Sequence, residues 1–113
     1  MTEVVCRHTD GGAHGPDGAW FDFTMEGHAG FAAPGQPDIV CAACSAIGYA
    51  LLGALENMEG PVRGLQSWEK EGMLHIRCGA DRAAQACFRM AVIGLMQVAA
   101  QYPACVRVTA DAL

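Results

Sequence analysis

Positive charge is scarce in this chain. Seven Lys and Arg residues face twelve Asp and Glu residues, giving a net charge of −5, and the basic residues never form a run. That argues against a surface that holds nucleic acid through its phosphates. No basic segment followed by an apolar run opens the sequence, so no secretory signal pattern is expected. Internal repeats, low-complexity tracts and a dividing linker are also lacking, and one domain over residues 1–113 is expected. Charged residues make up only 17% against 52% hydrophobic, which is the composition of a chain that folds around a core. Long uncharged runs are few. Ile39 to Leu55 spans 17 residues, the lower limit for a membrane span, and Met90 to Ala100 is shorter. Both read as buried helices of a protein with no membrane partner.

What is present is cysteine, six residues in a short chain. Such a count can mark a secreted disulfide scaffold, but here the cysteines fall inside apolar periodic segments rather than in loops. Cys6, Cys44, Cys78, Cys87 and Cys105 read as small buried hydrophobes, and a reducing cytoplasm is the expected compartment.

The periodicities place these residues on elements. Glu3 to His8 reads as a first strand. Asp10-Gly11-Gly12, Gly15-Pro16 and Asp17-Gly18 follow as turn signals. Ala19 to Glu26 alternates, with Phe21, Phe23 and Met25 on one face and Asp22, Thr24 and Glu26 on the other, the signature of a half-buried strand. His28 to Pro37 is a Gly/Pro-rich loop. Asp38 then caps a helix from Ile39 to about Asn57, which stops near Gly60-Pro61. Val62 to Trp68 and Met73 to Cys78 predict a second hairpin turning near Glu71-Gly72, with Leu74, Ile76 and Cys78 inward. Asp81 caps a second helix, Arg82 to Gln101, and Ala104 to Ala110 is a last strand. The fold class expected is α+β: a mostly antiparallel five-stranded sheet with two helices on one face, in the order β-β-α-β-β-α-β. The first helix is apolar nearly all round, which points to a further cover such as a second copy of the chain.

Two segments carry chemistry. His28 sits on the loop, and Cys41 falls at the third helical position after Asp38. A helix N-terminus favours thiolate over thiol, and its unpaired N–H groups can stabilise an oxyanion. If His28 folds back over the helix start it can act as base toward Cys41 and then as acid toward a leaving amine. Ser45 lies one turn on, on the same face, and Asp38 can orient His28 or only cap the helix. The bland reading makes Cys41 one inert thiol among six and His28 a turn residue. A second class of function is thiol–disulfide exchange through Cys41-x-x-Cys44, although the βαβ lead-in of thioredoxin-like proteins is missing. A third is zinc held by Cys6, His8, Cys41 and Cys44, without the paired knuckles of a structural zinc site. His8, His14 and His75 read as surface residues, and Trp20 and Trp68 as strand residues that pack or line a groove.

Gly27-His28-Ala29-Gly30-Phe31, then Gly35, then Asp38-Ile39-Val40-Cys41-Ala42-Ala43-x-Ser45-Ala46, resembles the ribosomal-processing cysteine protease family Prp. The block covers about a sixth of the chain, and the order of elements matches over nearly all of it. The resemblance implies a homodimer with His28 and Cys41 as catalytic dyad, and with Asp38 and Ser45 in support. It also implies a mobile loop bearing Gly27, Gly30 and Gly35 over the substrate. The implied activity needs no cofactor and no metal. It is removal of the N-terminal extension of a large-subunit ribosomal protein, the twenty-seventh of the L series, and a non-enzymatic ribosome-associated binder stands as its alternative. Two departures from the family pattern stand out: Gln36-Pro37 before Asp38 lengthens the loop, and Cys44 replaces a small apolar residue.

Overall fold

The computed structural model describes residues 1–9, 19–60 and 62–111. The turn signals from Asp10 to Gly18, His14 and Pro61 lie outside the described residues. Along the chain the elements are β1 (Thr2–Thr9), β2 (Trp20–Glu26), α1 (Ile39–Glu56), β3 (Gln66–Lys70), β4 (Met73–Gly79), α2 (Arg82–Gln101) and β5 (Val106–Ala110).

Both helices begin where a carboxylate takes up orphan N–H groups. Asp38 accepts from Val40 and Cys41, and Asp81 accepts from Ala84. Helix α1 ends at Asn57, whose side-chain amide donates to the Gly53 carbonyl at 2.8 Å. Neither helix contains a Pro between its caps.

The sheet corrects the sequence expectation. It is mixed rather than mostly antiparallel, and its order in space is β3-β4-β2-β1-β5. The order of strands along the chain is therefore not the order across the sheet. Strand β5 returns beside β1 and runs parallel to it, in the register Val4↔Val108. The crossover through α2 makes this possible, because parallel neighbours need a long connection. The remaining pairs, β1–β2, β2–β4 and β3–β4, are antiparallel.

The strand expected over Val62 to Trp68 also shifts, to Gln66–Lys70. Gly64 adopts φ +61°, and the Trp20 ring lies where a Cβ would sit, so the chain turns there. Arg63 closes that turn: its guanidinium donates to the Ala19 carbonyl at 2.8 Å, and its own carbonyl accepts from the Gly79 N–H at 2.7 Å.

One sheet face is dry. Val4, Cys6, Phe21, Phe23, Met25, Leu74, Ile76 and Cys78 are buried on it, as the alternation required. Helix α2 docks through Phe88, whose ring centroid lies 4.7 Å from that of Phe21 and 6.4 Å from that of Phe23. Helix α1 lies over Met25 and Leu74 at Gly48, on the same face, and Ile47 reaches Gly94 of α2. By length and composition both helices could cross a membrane. Here each lays a buried stripe on the sheet, Leu51 and Leu55 in α1 and Phe88 and Leu95 in α2. Their outer faces stay apolar in part, with Ile39, Tyr49, Met90, Ile93 and Met96 exposed. The site forms where the end of β2, the start of α1 and the β3–β4 turn meet.

Candidate active site

A glycine directly follows strand β2. Gly27 has φ +92°, and a Cβ there would collide with the Met1 carbonyl oxygen. Its N–H donates to the Gly72 carbonyl at 2.8 Å, tying the end of β2 to the β3–β4 turn. The exposed His28 ring lies against that turn: a Cβ on Gly72 would sit 3.3 Å from Nε2. The next residue, Ala29, is buried, and its N–H donates to the Cys41 Sγ at 3.1 Å. An N–H aimed at sulfur from outside the helix, at a helix N-terminus, is the arrangement that stabilises a sulfur anion.

Asp38 joins loop to helix with both of its oxygens. Oδ1 accepts from Val40 N–H at 3.0 Å and Cys41 N–H at 2.9 Å. Oδ2 accepts from Phe31 N–H at 3.0 Å and Ala32 N–H at 3.1 Å. These four donors, the Cys41 N–H foremost, hold the Asp38 carboxyl below the usual carboxylate range against some desolvation. None of the bonds goes to His28, so Asp38 caps the helix and fastens the loop rather than orienting the imidazole. The loop is braced further by Phe31, edge-on to Tyr102 at 5.3 Å, and by a turn at Pro34-Gly35. That turn is closed by Gln36 N–H on the Ala33 carbonyl at 3.0 Å, with Gly35 at φ +83°. Gly30, at φ +70°, supplies the remaining bend.

His28 and Cys41 are brought together as walls of the same two cavities. The smaller, about 170 Å³, is lined by both residues together with Ser45, Tyr49, Lys70 and Gly72. The larger, about 730 Å³, is lined by both together with Phe31, Pro34, Asp38 and Glu71. No hydrogen bond joins the two side chains; the Cys41 sulfur faces the Ala29 N–H instead. Ser45 is exposed on the wall of the smaller cavity, where its hydroxyl has no partner among the described residues. The expectation that helical N–H groups near Cys41 serve an oxyanion needs correction. Those of Val40 and Cys41 are held by the Asp38 side chain, and that of Ala42 by the Asp38 carbonyl at 3.0 Å. The donor left facing the sulfur is Ala29 N–H.

The other cysteines are set apart by burial. Cys6 and Cys78 are fully buried, and desolvation, with smaller like-charge contributions, pushes each thiol up to about 12. Burial raises Cys44 and Cys87 as well. Cys44, one turn from Cys41, is 2% exposed and packed into the core. All six cysteines are free thiols. The zinc set expected as one option does not converge: among the described residues no group of three or more His, Cys, Asp or Glu is placed to share a metal.

Tyr49, Lys70, Glu71 and Gly72 join the site without any local signal in the sequence. Lys70, Glu71 and Gly72 arrive because β4 pairs with β2 and carries the turn alongside Gly27, and Tyr49 comes from α1, about two turns on from Cys41.

A family model described as cysteine protease Prp matches residues 13–107. Among solved structures, the chain is similar to the essential ribosomal processing protease Prp from Staphylococcus aureus bearing a covalently linked product peptide. That likeness has 23% identity and a TM-score of 0.79, covering 98% of this chain and 100% of that one. The same protease with a substrate peptide gives 20% identity and a TM-score of 0.62, over 98% of this chain and 100% of that chain. SMU.848 from Streptococcus mutans gives 25% identity and a TM-score of 0.66, over 97% of this chain and 93% of that chain. None of the curated proteins matches.

Proposed function

We propose a substrate and a two-residue mechanism for this chain, which belongs to the cysteine protease Prp family and is therefore a cysteine protease. Cys41 is the nucleophile and His28 the general base and acid. The observation that carries this reading is that His28 and Cys41 wall the same two cavities while a buried backbone N–H points at the sulfur. The His28 ring takes the thiol proton, and Sγ attacks the peptide carbonyl carbon. The oxygen on the carbon now bonded to Sγ then takes over the Ala29 N–H, which lies 3.1 Å from that sulfur. His28 gives its proton to the departing amine, the thioester forms, and a water activated by His28 hydrolyses it. The His28 ring is exposed and held by no hydrogen bond among the described residues, which leaves it free to turn toward the cavities it shares with Cys41. Asp38 keeps Cys41 and Ala29 in register by binding the helix start and the loop at once. Ser45 supports the wall on which the peptide lies.

The substrate proposed is the N-terminal extension of a large-subunit ribosomal protein, the twenty-seventh of the L series. The family, and the ribosomal processing proteases with bound peptides that share the fold, support this reading. The same reading takes residues 1–113 as one Prp-like domain acting in the cytoplasm as a homodimer. The apolar outer faces at Ile39, Met90, Ile93 and Met96 support the dimer. The test is cleavage of a synthetic peptide spanning the extension junction, followed by mass spectrometry. Cys41→Ala and His28→Ala should each lower kcat/KM by at least about a thousandfold without loss of fold. Full cleavage by Cys41→Ala would overturn the mechanism.

A further inference from the structure

The β3–β4 turn places unlike charges on either side of the His28 ring. Lys70 lines the smaller cavity and is the one Lys, Arg, Asp or Glu residue in that lining. Glu71 lines the larger, whose lining holds no Lys or Arg and has Asp38 as its other carboxylate. Successive residues at a strand end point to opposite sides, which separates the two charges. Gly72, at φ +71°, makes the turn beneath His28 and so keeps both residues beside the reacting centre.

The two carboxylates of the larger cavity are not equivalent. Asp38 already accepts four N–H groups. Glu71 is exposed, and no ion pair or hydrogen bond engages it among the described residues. Glu69, its near neighbour in sequence, is taken by the Tyr49 hydroxyl at 3.2 Å. The larger cavity thus offers one uncommitted negative charge beside apolar walls at Phe31, Ala33 and Pro34.

We propose that Glu71 selects a basic side chain of the substrate peptide in the larger cavity, close to the bond that is cut. This deepens the protease reading and rests on it for the position of the peptide. A long Lys or Arg side chain fits such a place, with its stem along Phe31 and Pro34 and its cation at the carboxylate.

The test uses fluorescein-labelled peptides of the extension junction, with Lys, Gln or Glu placed in turn at each position within about four residues of the bond. Binding is measured to full-length Cys41→Ala protein, with and without Glu71→Gln or Glu71→Lys. At one or two positions the Lys peptide should bind about threefold tighter than the Gln peptide, an advantage that shrinks at high salt. Glu71→Gln should bring the ratio to about one, and Glu71→Lys should turn the preference toward Glu. With Cys41 present, Glu71→Gln should raise KM for the Lys peptide more than for the Gln peptide. A Lys preference that survives Glu71→Gln, or no Lys preference at any position, overturns the assignment. Charge-selective binding without cleavage by the Cys41 enzyme would instead overturn the protease reading alone.

Discussion

Two sulfur environments in this protein differ in almost every respect. Cys6 on β1 and Cys78 on β4 flank β2 on the dry sheet face, fully buried, with thiols driven up to about 12 by lost solvation. Cys41 lies at a helix start, half-buried, with an N–H from the loop aimed at it and a cavity on either side. The side chains are chemically identical. The difference lies in whether the fold removes water from the sulfur or supplies donors to it, and only the second leaves a group able to attack a carbonyl.

The sharpest way to break this comparison is alkylation of the native protein with iodoacetamide, followed residue by residue in peptide mass spectra. Cys41 should be labelled at least about a thousandfold faster than Cys6 and Cys78, which wait on unfolding of the sheet. Equal labelling of the three would erase the distinction.

Alkaline pH probes the buried side. A thiol whose folded pKa is raised contributes stability that is complete below its unfolded value, near 9, and is lost as pH rises toward about 12. Urea midpoints should therefore hold steady below pH 9 and fall above it, by on the order of a few kcal/mol in unfolding free energy for the two thiols together. Cys6→Ala and Cys78→Ala should each flatten the decline.

Acid pH probes the exposed side. The Asp38 carboxyl is held low by its N–H donors, so its contribution is present above the ordinary carboxylate pKa and lost as pH falls through its depressed folded value. Asp38→Asn should lower thermal stability near neutral pH and leave a shallower loss in acid than the parent shows. A parallel acid profile for the two proteins would remove Asp38 from its place as fastener of the loop.

The smallest effect is expected at the boundary between the two environments. Cys44 is one turn from Cys41 but belongs to the core. Cys44→Ala should keep kcat/KM within about twofold and cost about 1 kcal/mol of stability from the lost buried sulfur. Loss of turnover in Cys44→Ala would bring Cys44 into the chemistry after all.

Much of the fold was legible residue by residue. Asp38 and Asp81 announce their helices because capping is a contact between neighbours, and Phe21, Phe23 and Met25 announce a buried face because a strand alternates. The misplaced strand start at Val62 shows where this ends. Val62 looks suited to a strand, but Trp20, distant in sequence, packs at Gly64 and turns the chain. The parallel return of β5 beside β1 leaves no periodic trace either, since it depends on how the α2 crossover lies on the sheet. At the site, Cys41 and His28 stood out by their local settings. Glu71, Gly72 and the Ala29 N–H did not, because each acquires its role from a partner brought in by pairing or by the loop.

The sequence by itself therefore determined the helix that presents Cys41, the capping carboxylate, the glycine-rich loop that carries His28 and the apolar face they rest on. All of these follow from contacts within a few residues. Tertiary structure decided which donor faces the sulfur, that the helical N–H groups are already taken by Asp38, and that Lys70 and Glu71 flank His28. These depend on pairing β2 with β4 and folding the loop back onto α1. Such long-range contacts are selected by the packing of the whole sheet rather than by the preferences of any one segment.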